Sequence, residues 1–169
     1  MQKFFSRLVP LFLICLTVLS AGQRVSAEPG LKLPVYSTSY DDQRDPFADA
    51  RAAIELAKST QRNVLIEIGG NWCTWCKKMD AFLEANPEVY QELHDKFVLL
   101  KINVSDSNEN EAFMSALPPV LGYPHMYVST ASGKMILSKD TAELLEDGQY
   151  SVKNWLEFIE TWQANGNQG

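Results

Sequence analysis

The stretch VLIEIGGNWCTWCKKM, Val64–Met79, decides how this chain is read. Its first part, with Asn63 in front, is a short apolar run of buried-strand length carrying one charge, Glu67. Gly69-Gly70-Asn71 break the run. From Cys73 the apolar residues recur at helical spacing through Met79, Phe82 and Leu83 to about Ala85. The two cysteines of Trp72-Cys73-Thr74-Trp75-Cys76 therefore open a helix that follows a strand. Two intervening residues put both sulfurs within disulfide reach across the first turn. The unpaired N–H groups and the dipole of that turn stabilise a thiolate on the first of them. This predicts a redox pair in which Cys73 attacks and Cys76 resolves the mixed disulfide. Other uses of the pair fit less well. A structural bridge over so short a loop removes little chain entropy. A c-type haem site needs His where Lys77 stands, and a zinc site would need His94 and His125 at a spacing that matches no common zinc motif.

Glu67 lies six positions before Cys73 in an otherwise apolar strand. A buried carboxylate costs several kcal/mol unless it is neutral or paired. Glu67 either reaches solvent at a strand edge or is a desolvated acid under the site, with a raised pKa, taking the proton of Cys76. Lys101, the lone charge of a second apolar run (Phe97 to Val104), is a candidate partner for it. Trp72 and Trp75 flank the cysteines and predict an apolar rim able to grip another chain.

The remaining elements follow from the same periodicities. Asp45-Pro46 starts a helix that runs to about Ser59, with Phe47, Ala50, Ile54 and Ala57 at helical spacing. Asn86-Pro87 starts another by the same cap logic. A short helix is expected around Glu109–Leu117, ended by Pro118-Pro119. A third strand around Tyr127 and Val128 is entered through Tyr123-Pro124. A turn at Ala131-Ser132-Gly133 leads to a returning strand, Lys134 to Leu137. Asp140 to Tyr150 reads as a polar loop, and Ser151 caps an amphipathic last helix. The order α, β, α, α, β, α, β, β, α predicts an α/β fold: a mixed central sheet with helices on both faces.

The N-terminus reads as an export leader. Lys3 and Arg7 precede the apolar run Leu8 to Leu19, broken by Pro10 and too short to span a membrane, and Val25-Ser26-Ala27 has a small-x-small cleavage pattern. The expected organisation is a cleaved leader over 1–27, a loose lead-in or surface strap over 28–44, one domain over 45–163 and a frayed tail over 164–169. The 169 residues carry 15 basic and 21 acidic side chains and three cysteines, an odd number. Cleavage removes Cys15, Lys3, Arg7 and Arg24 and no acid, so 12 basic residues face 21 acidic ones, a net charge of −9. Such a charge disfavours nucleic acid and anionic lipid as partners. The expected location is periplasmic or secreted, where disulfides persist, with a mature chain that does not span the membrane.

VLIEIGGNWCTWCKKM resembles the active-site strand and helix of the thioredoxin superfamily. Lys101–Asn103 (KIN) resembles its next strand, and Gly122–Val128 (GYPHMYV) the segment that holds its cis-proline. The likeness covers roughly residues 45–163 and implies a thioredoxin fold. It implies Cys73 as nucleophile, Cys76 as resolving thiol, Trp72 as the flanking tryptophan, Glu67 as the buried acid and Lys101 as its neighbour. Pro124 then matches the cis-proline facing the disulfide, and the backbone of Tyr123 would pair with a substrate strand. The chain departs from the family in having Thr-Trp between the cysteines and His125 after the proline. The W-C-x-W-C-K pattern is similar to exported bacterial thioredoxin-like proteins. His125 tunes the thiolate, touches substrate or is merely exposed. The function implied is a thiol–disulfide oxidoreductase acting on protein thiols and disulfides without a cofactor. Reduction or isomerisation is favoured over oxidation, with a membrane electron donor. The other class kept open is a non-catalytic or copper-handling binding module, the metal held by Cys73, Cys76 and His125.

Overall fold

A computed structural model describes residues 32–164. The expected leader, with Cys15, and the tail from 165 onward lie outside the described residues. Helix α1, Pro46–Thr60, starts as expected: the Asp45 carboxylate accepts from the Phe47 N–H at 2.9 Å, with Pro46 in the first turn. Of the expected stripe, Ala57 is buried and Ala50 and Ile54 pack partly buried against the core. Phe47 is largely exposed, and the fully buried positions are Ala53 and Ala57, small enough to bring the helix close to the sheet.

Strand β1, Asn63–Gly69, leads into α2, Thr74–Ala85, and α3, Pro87–Lys96, and then β2, Phe97–Asn103. β1 and β2 are parallel, with Glu67 opposite Lys101. After the one-turn helix α4, Glu111–Met114, come β3, His125–Ser129, and β4, Met135–Asp140. Both new pairings are antiparallel, and the sheet order is β2-β1-β3-β4. β1, β2 and β3 are buried throughout, which is why their sequences are apolar on both faces. Alternate residues feed two cores. Leu65, Leu99, Met126 and Val128 pack with α2, α3 and the last helix α5, Val152–Trp162, around Trp155. Val64, Ile66, Ile68 and Tyr127 pack with α1 and α4. The expected mixed sheet with helices on both faces is present.

Four local expectations are corrected. The helix near Glu109–Leu117 is only one turn: Asn110 enters it in a left-handed conformation (φ 47°), and past Met114 the Ala116 and Leu117 N–H groups bond three residues back in tighter turns. α3 starts at Pro87 with Asn86 in the N-cap position, as expected, but the Asn86 side chain makes no capping bond; its amide donates back to the Phe82 carbonyl at 2.7 Å. The returning strand extends to Asp140. The supposed polar loop after it holds a 3-10 turn, Thr141–Leu144, and a small hairpin, β5 Leu145–Glu146 and β6 Gln149–Tyr150. Asp147 and Gly148 form its tip, both at positive φ (50° and 76°), as an Asp-Gly hairpin turn requires.

The lead-in is not loose. Val35–Ser37 form a 3-10 turn, Tyr36, Ser37 and Tyr40 are buried, and the Ser37 hydroxyl donates to the Leu99 carbonyl at 2.5 Å. Asn71 and Asn108 donate side-chain amides to the Tyr40 and Asp42 carbonyls at 3.1 and 2.8 Å. The segment is stitched across the β1 and β2 ends, where the cysteines lie.

Candidate active site

Cys73 and Cys76 are joined in a disulfide, with Cα atoms 5.3 Å apart. Cys73 is the N-cap of α2, and its sulfur accepts the Cys76 N–H at 3.0 Å. That N–H and the helix dipole are the groups that stabilise a thiolate on Cys73 when the bridge opens. Both cysteines are nearly inaccessible, at 2% and 1% exposure. Tyr40 and Tyr123 pack over them.

Trp72 and Trp75 stand out from this buried pair, 54% and 36% exposed. The Trp72 indole N–H donates to the Val104 carbonyl at 2.6 Å, and its ring meets Tyr123 edge-on at 5.2 Å. Trp75 meets Tyr150 edge-on at 5.9 Å and carries the Lys78 ammonium 4.0 Å over its ring. The two indoles are thus fixed as an apolar rim. Trp75, Tyr123, Pro124, Thr141 and Tyr150 line a groove of about 310 Å³ beside the disulfide. On its other side, Trp72 and Tyr123 wall a cavity of about 1010 Å³ floored by Val104, Met114 and Leu117. The Tyr123–Pro124 bond is cis, and the Thr141 hydroxyl donates to the Pro124 carbonyl at 2.7 Å.

Glu67 is fully buried, on the α2 side of the sheet. Burial raises its carboxyl above the usual range; the Lys101 charge opposes this and Asp80 adds to it. Lys101 Nζ lies 3.9 Å from Glu67 Oε1 but 2.5 Å from Asp80 Oδ1. Burial lowers Lys101, yet the Glu67 and Asp80 carboxylates outweigh it, so its pKa is raised and it stays charged. Glu67 also accepts the hydroxyl of Tyr40. Burial, and then the Glu67 charge, push that phenol well up. Tyr150, nearby, is pushed up to about 12, mainly by burial.

Of the residues singled out in sequence, the structure brings Cys73, Cys76, Glu67, Lys101, Trp72, Trp75, Tyr123 and Pro124 together at one end of the sheet. His125 is the exception. Its side chain is fully buried, so it is neither exposed nor on the rim. It shares the α1 face with Tyr127, 4.8 Å away, and its Nε2 bonds with Ser138 at 2.9 Å. Strand alternation turns it away from the face that holds Glu67. Among the described residues no three His, Cys, Asp or Glu side chains are grouped to hold a metal ion. Sequence reasoning missed Tyr40 and Asp80. Asp80 stands four residues after Cys76, hence above it on the same helix face, a spacing that could have exposed it.

The thioredoxin-like family model matches residues 45–131, just over half of the chain. The chain belongs to the thioredoxin-like family. It is 28% identical over 102 residues to the thiol:disulfide interchange protein DsbD of Actinobacillus pleuropneumoniae serotype 5b, a match covering 60% of this chain. The chain spans only 17% of that relative's length. The crystal structure of a disulphide isomerase from Xylella fastidiosa Temecula1 superposes with a TM-score of 0.61 at 25% identity, covering 76% of this chain and 95% of that one. The C-terminal domain of Neisseria meningitidis DsbD in its oxidised form shares the fold, with a TM-score of 0.55 at 21% identity over 70% of this chain and 97% of that one. A thioredoxin-like domain with a disulfide on the first turn of its active-site helix has the chemistry of a thiol–disulfide oxidoreductase.

Proposed function

We propose that this protein reduces or isomerises disulfides of other proteins in an exported compartment, cycling through Cys73 and Cys76. The supporting observation is the Cys73–Cys76 bridge on the first turn of α2, beside buried Glu67. In the reduced protein the Cys73 thiolate attacks a substrate disulfide and releases one substrate thiolate. Cys76 then attacks Cys73, the mixed disulfide breaks, and the second thiolate leaves. An internal base under Cys76 speeds that second step, which supports reduction or isomerisation over oxidation. The Trp72–Trp75 rim and the groove at Tyr123–Pro124 are the proposed docking surface for the substrate chain, which pairs with the backbone at residue 123. The side chain of His125 takes no part in it.

The proposed mature chain starts after Ala27 and is periplasmic or secreted, with electrons supplied by a membrane donor. No helix among the described residues is long and apolar enough to cross a membrane. The relatives named for thiol:disulfide interchange and disulphide isomerisation support the proposed disulfide chemistry.

The test is the reduction potential of the Cys73–Cys76 pair together with turnover of a protein disulfide. The expected potential lies within reach of the glutathione range, with activity lost in Cys73→Ser and a trapped mixed disulfide in Cys76→Ser. A potential far below that range with no turnover excludes the enzyme.

A further inference from the structure

We propose that Tyr40, on the segment before α1, is a proton-relay residue linking Cys76 to Glu67. This rests on the oxidoreductase reading and adds a residue to it. Three observations carry it. The Tyr40 hydroxyl donates to Glu67 Oε1, so the phenol and the carboxylate already share a proton path. Tyr40 packs in one buried cluster with both cysteines. A Cβ placed on Gly69 would lie 2.6 Å from Cys76 Sγ and also 2.6 Å from Tyr40 Oη, so sulfur and hydroxyl converge on the same small space beside β1. A glycine at 69 leaves that space open.

The groups around the relay are Glu67 from β1, Lys101 from β2, Asp80 from α2 and Tyr150 from β6. The Lys101 ammonium lies 4.9 Å from the Tyr40 ring, and its nearest carboxylate is Asp80, not Glu67. Glu67 is thereby left with the Tyr40 hydroxyl as its bonded partner. Cys76 is 1% exposed, so a path through protein groups replaces one through bulk water.

As Cys76 attacks Cys73 in the mixed disulfide, its S–H proton passes to Tyr40 Oη, and the Tyr40 proton passes to Glu67. The Cys76 electron pair forms the Cys73–Cys76 bond. The bond from Cys73 to substrate breaks, and its electron pair leaves on the substrate thiolate. No other reductant is needed, and Tyr40 ends the step as it began.

Tyr40→Phe keeps the ring and removes the hydroxyl. Reduced protein is mixed with an aromatic disulfide that releases a coloured thiolate twice, once when Cys73 attacks and once when Cys76 resolves. The expected result is a second phase slowed at least tenfold with the first phase unchanged, and a pH limb of the second phase moved upward. Glu67→Gln should slow the same phase, and the double variant should be no slower than the worse single one, because one path is broken once. Equal second phases in wild type and Tyr40→Phe, or slowing that multiplies in the double variant, overturns the relay. Circular dichroism and a urea melt of Tyr40→Phe separate lost folding from lost relay; if that variant does not fold, the solvent isotope effect on the wild-type second phase decides, and its absence overturns the relay. The reagent reads the resolving step whatever the natural substrate. A wild type that resolves the reagent yet never turns over protein disulfides refutes the assigned function and leaves the relay standing.

Discussion

Lys101 is bound to Asp80 more closely than to Glu67, its partner across the β1–β2 ladder: 2.5 Å against 3.9 Å. The ammonium is 4% exposed, and the Asp80 carboxylate is reached from solvent. The cation is therefore held by a half-exposed helix residue, and the buried strand carboxylate is left largely to Tyr40. This division explains how Glu67 keeps a raised pKa with a lysine beside it. Lys101→Met removes the counter-charge of a buried acid. We expect a loss of about 3–5 kcal/mol of stability at pH 7. The loss should shrink toward pH 4.5, where Glu67 carries a proton. Urea unfolding at the two pH values measures it, and an equal loss at both would refute the coupling.

Asp80→Asn acts on the same acid in the opposite direction. The Asp80 charge raises the pKa of Glu67, whereas Lys101 lowers it. Removing Asp80's charge also frees Lys101 for Glu67. The pH limb of the Cys76 resolving step should therefore move downward in Asp80→Asn and upward in Lys101→Met. Stopped-flow measurement of that phase over pH 4–9 tests the pair, and shifts of the same sign in both variants would contradict this arrangement.

The pH dependence of stability gives a separate handle on Glu67. Burial raises its folded pKa above the unfolded value near 4.5, so the folded state binds the proton more tightly. Between those two values the unfolded chain holds fewer protons, and stability falls as pH rises. Glu67→Gln keeps an acceptor for Tyr40 and leaves Lys101 on Asp80. Its stability relative to wild type should climb from pH 4 to pH 7. A difference that stays constant over that range would mean that Glu67 titrates alike in both states.

What was legible in sequence follows from periodicity and from short motifs. The strand containing Glu67, the helix opened by Cys73 and the Asp45-Pro46 start each carry their signal within a few residues. Tyr40 does not. It sits in a polar, Pro-bearing segment whose order comes from Ser37 on Leu99 and Asn71 on Tyr40, contacts between positions far apart in the chain. No local pattern reports them. His125 shows the opposite limit. Its place after Pro124 suggested the site, but period-two alternation from Tyr127 decides which face it takes, and the sequence could have been read that way. The Asp147-Gly148 hairpin was likewise readable and was obscured by the polar residues around it.

His94 supplies a stability switch unrelated to the redox site. It is buried on α3, packed against Tyr90 at 4.5 Å, and burial first, then Arg62, lowers its pKa to about 4. Its folded pKa lies below the unfolded value of 6.5, so the unfolded chain holds more protons between the two. Stability is fully present above 6.5 and is lost as pH falls toward 4, by roughly 3 kcal/mol if the whole difference is expressed. This runs against the Glu67 effect in the lower part of the range. Replacing His94 with Gln should flatten the acid side of the stability curve, and an NMR titration of the ring should give a midpoint well under 6. A midpoint near 6.5 would remove the basis for the effect.

Gly69→Ala tests how tightly the lead-in is built onto the site. The φ of Gly69 is not in the left-handed region, so a methyl group there meets no backbone strain, only the sulfur and hydroxyl 2.6 Å away. Both contacts are shorter than 3.0 Å, so the Cys76 sulfur and the Tyr40 ring must both shift away from the new methyl, which displaces the Tyr40 hydroxyl. Overpacking of this kind costs about 1–3 kcal/mol. The displaced hydroxyl should also lose Glu67, so the variant should show the slowed second thiolate release expected of Tyr40→Phe. Adding Tyr40→Phe to Gly69→Ala should then slow that phase no further, because the hydroxyl is already off Glu67. Full stability with an unchanged second phase would mean that the space beside β1 is larger than the structure shows, and that the segment before α1 can yield without disturbing Glu67.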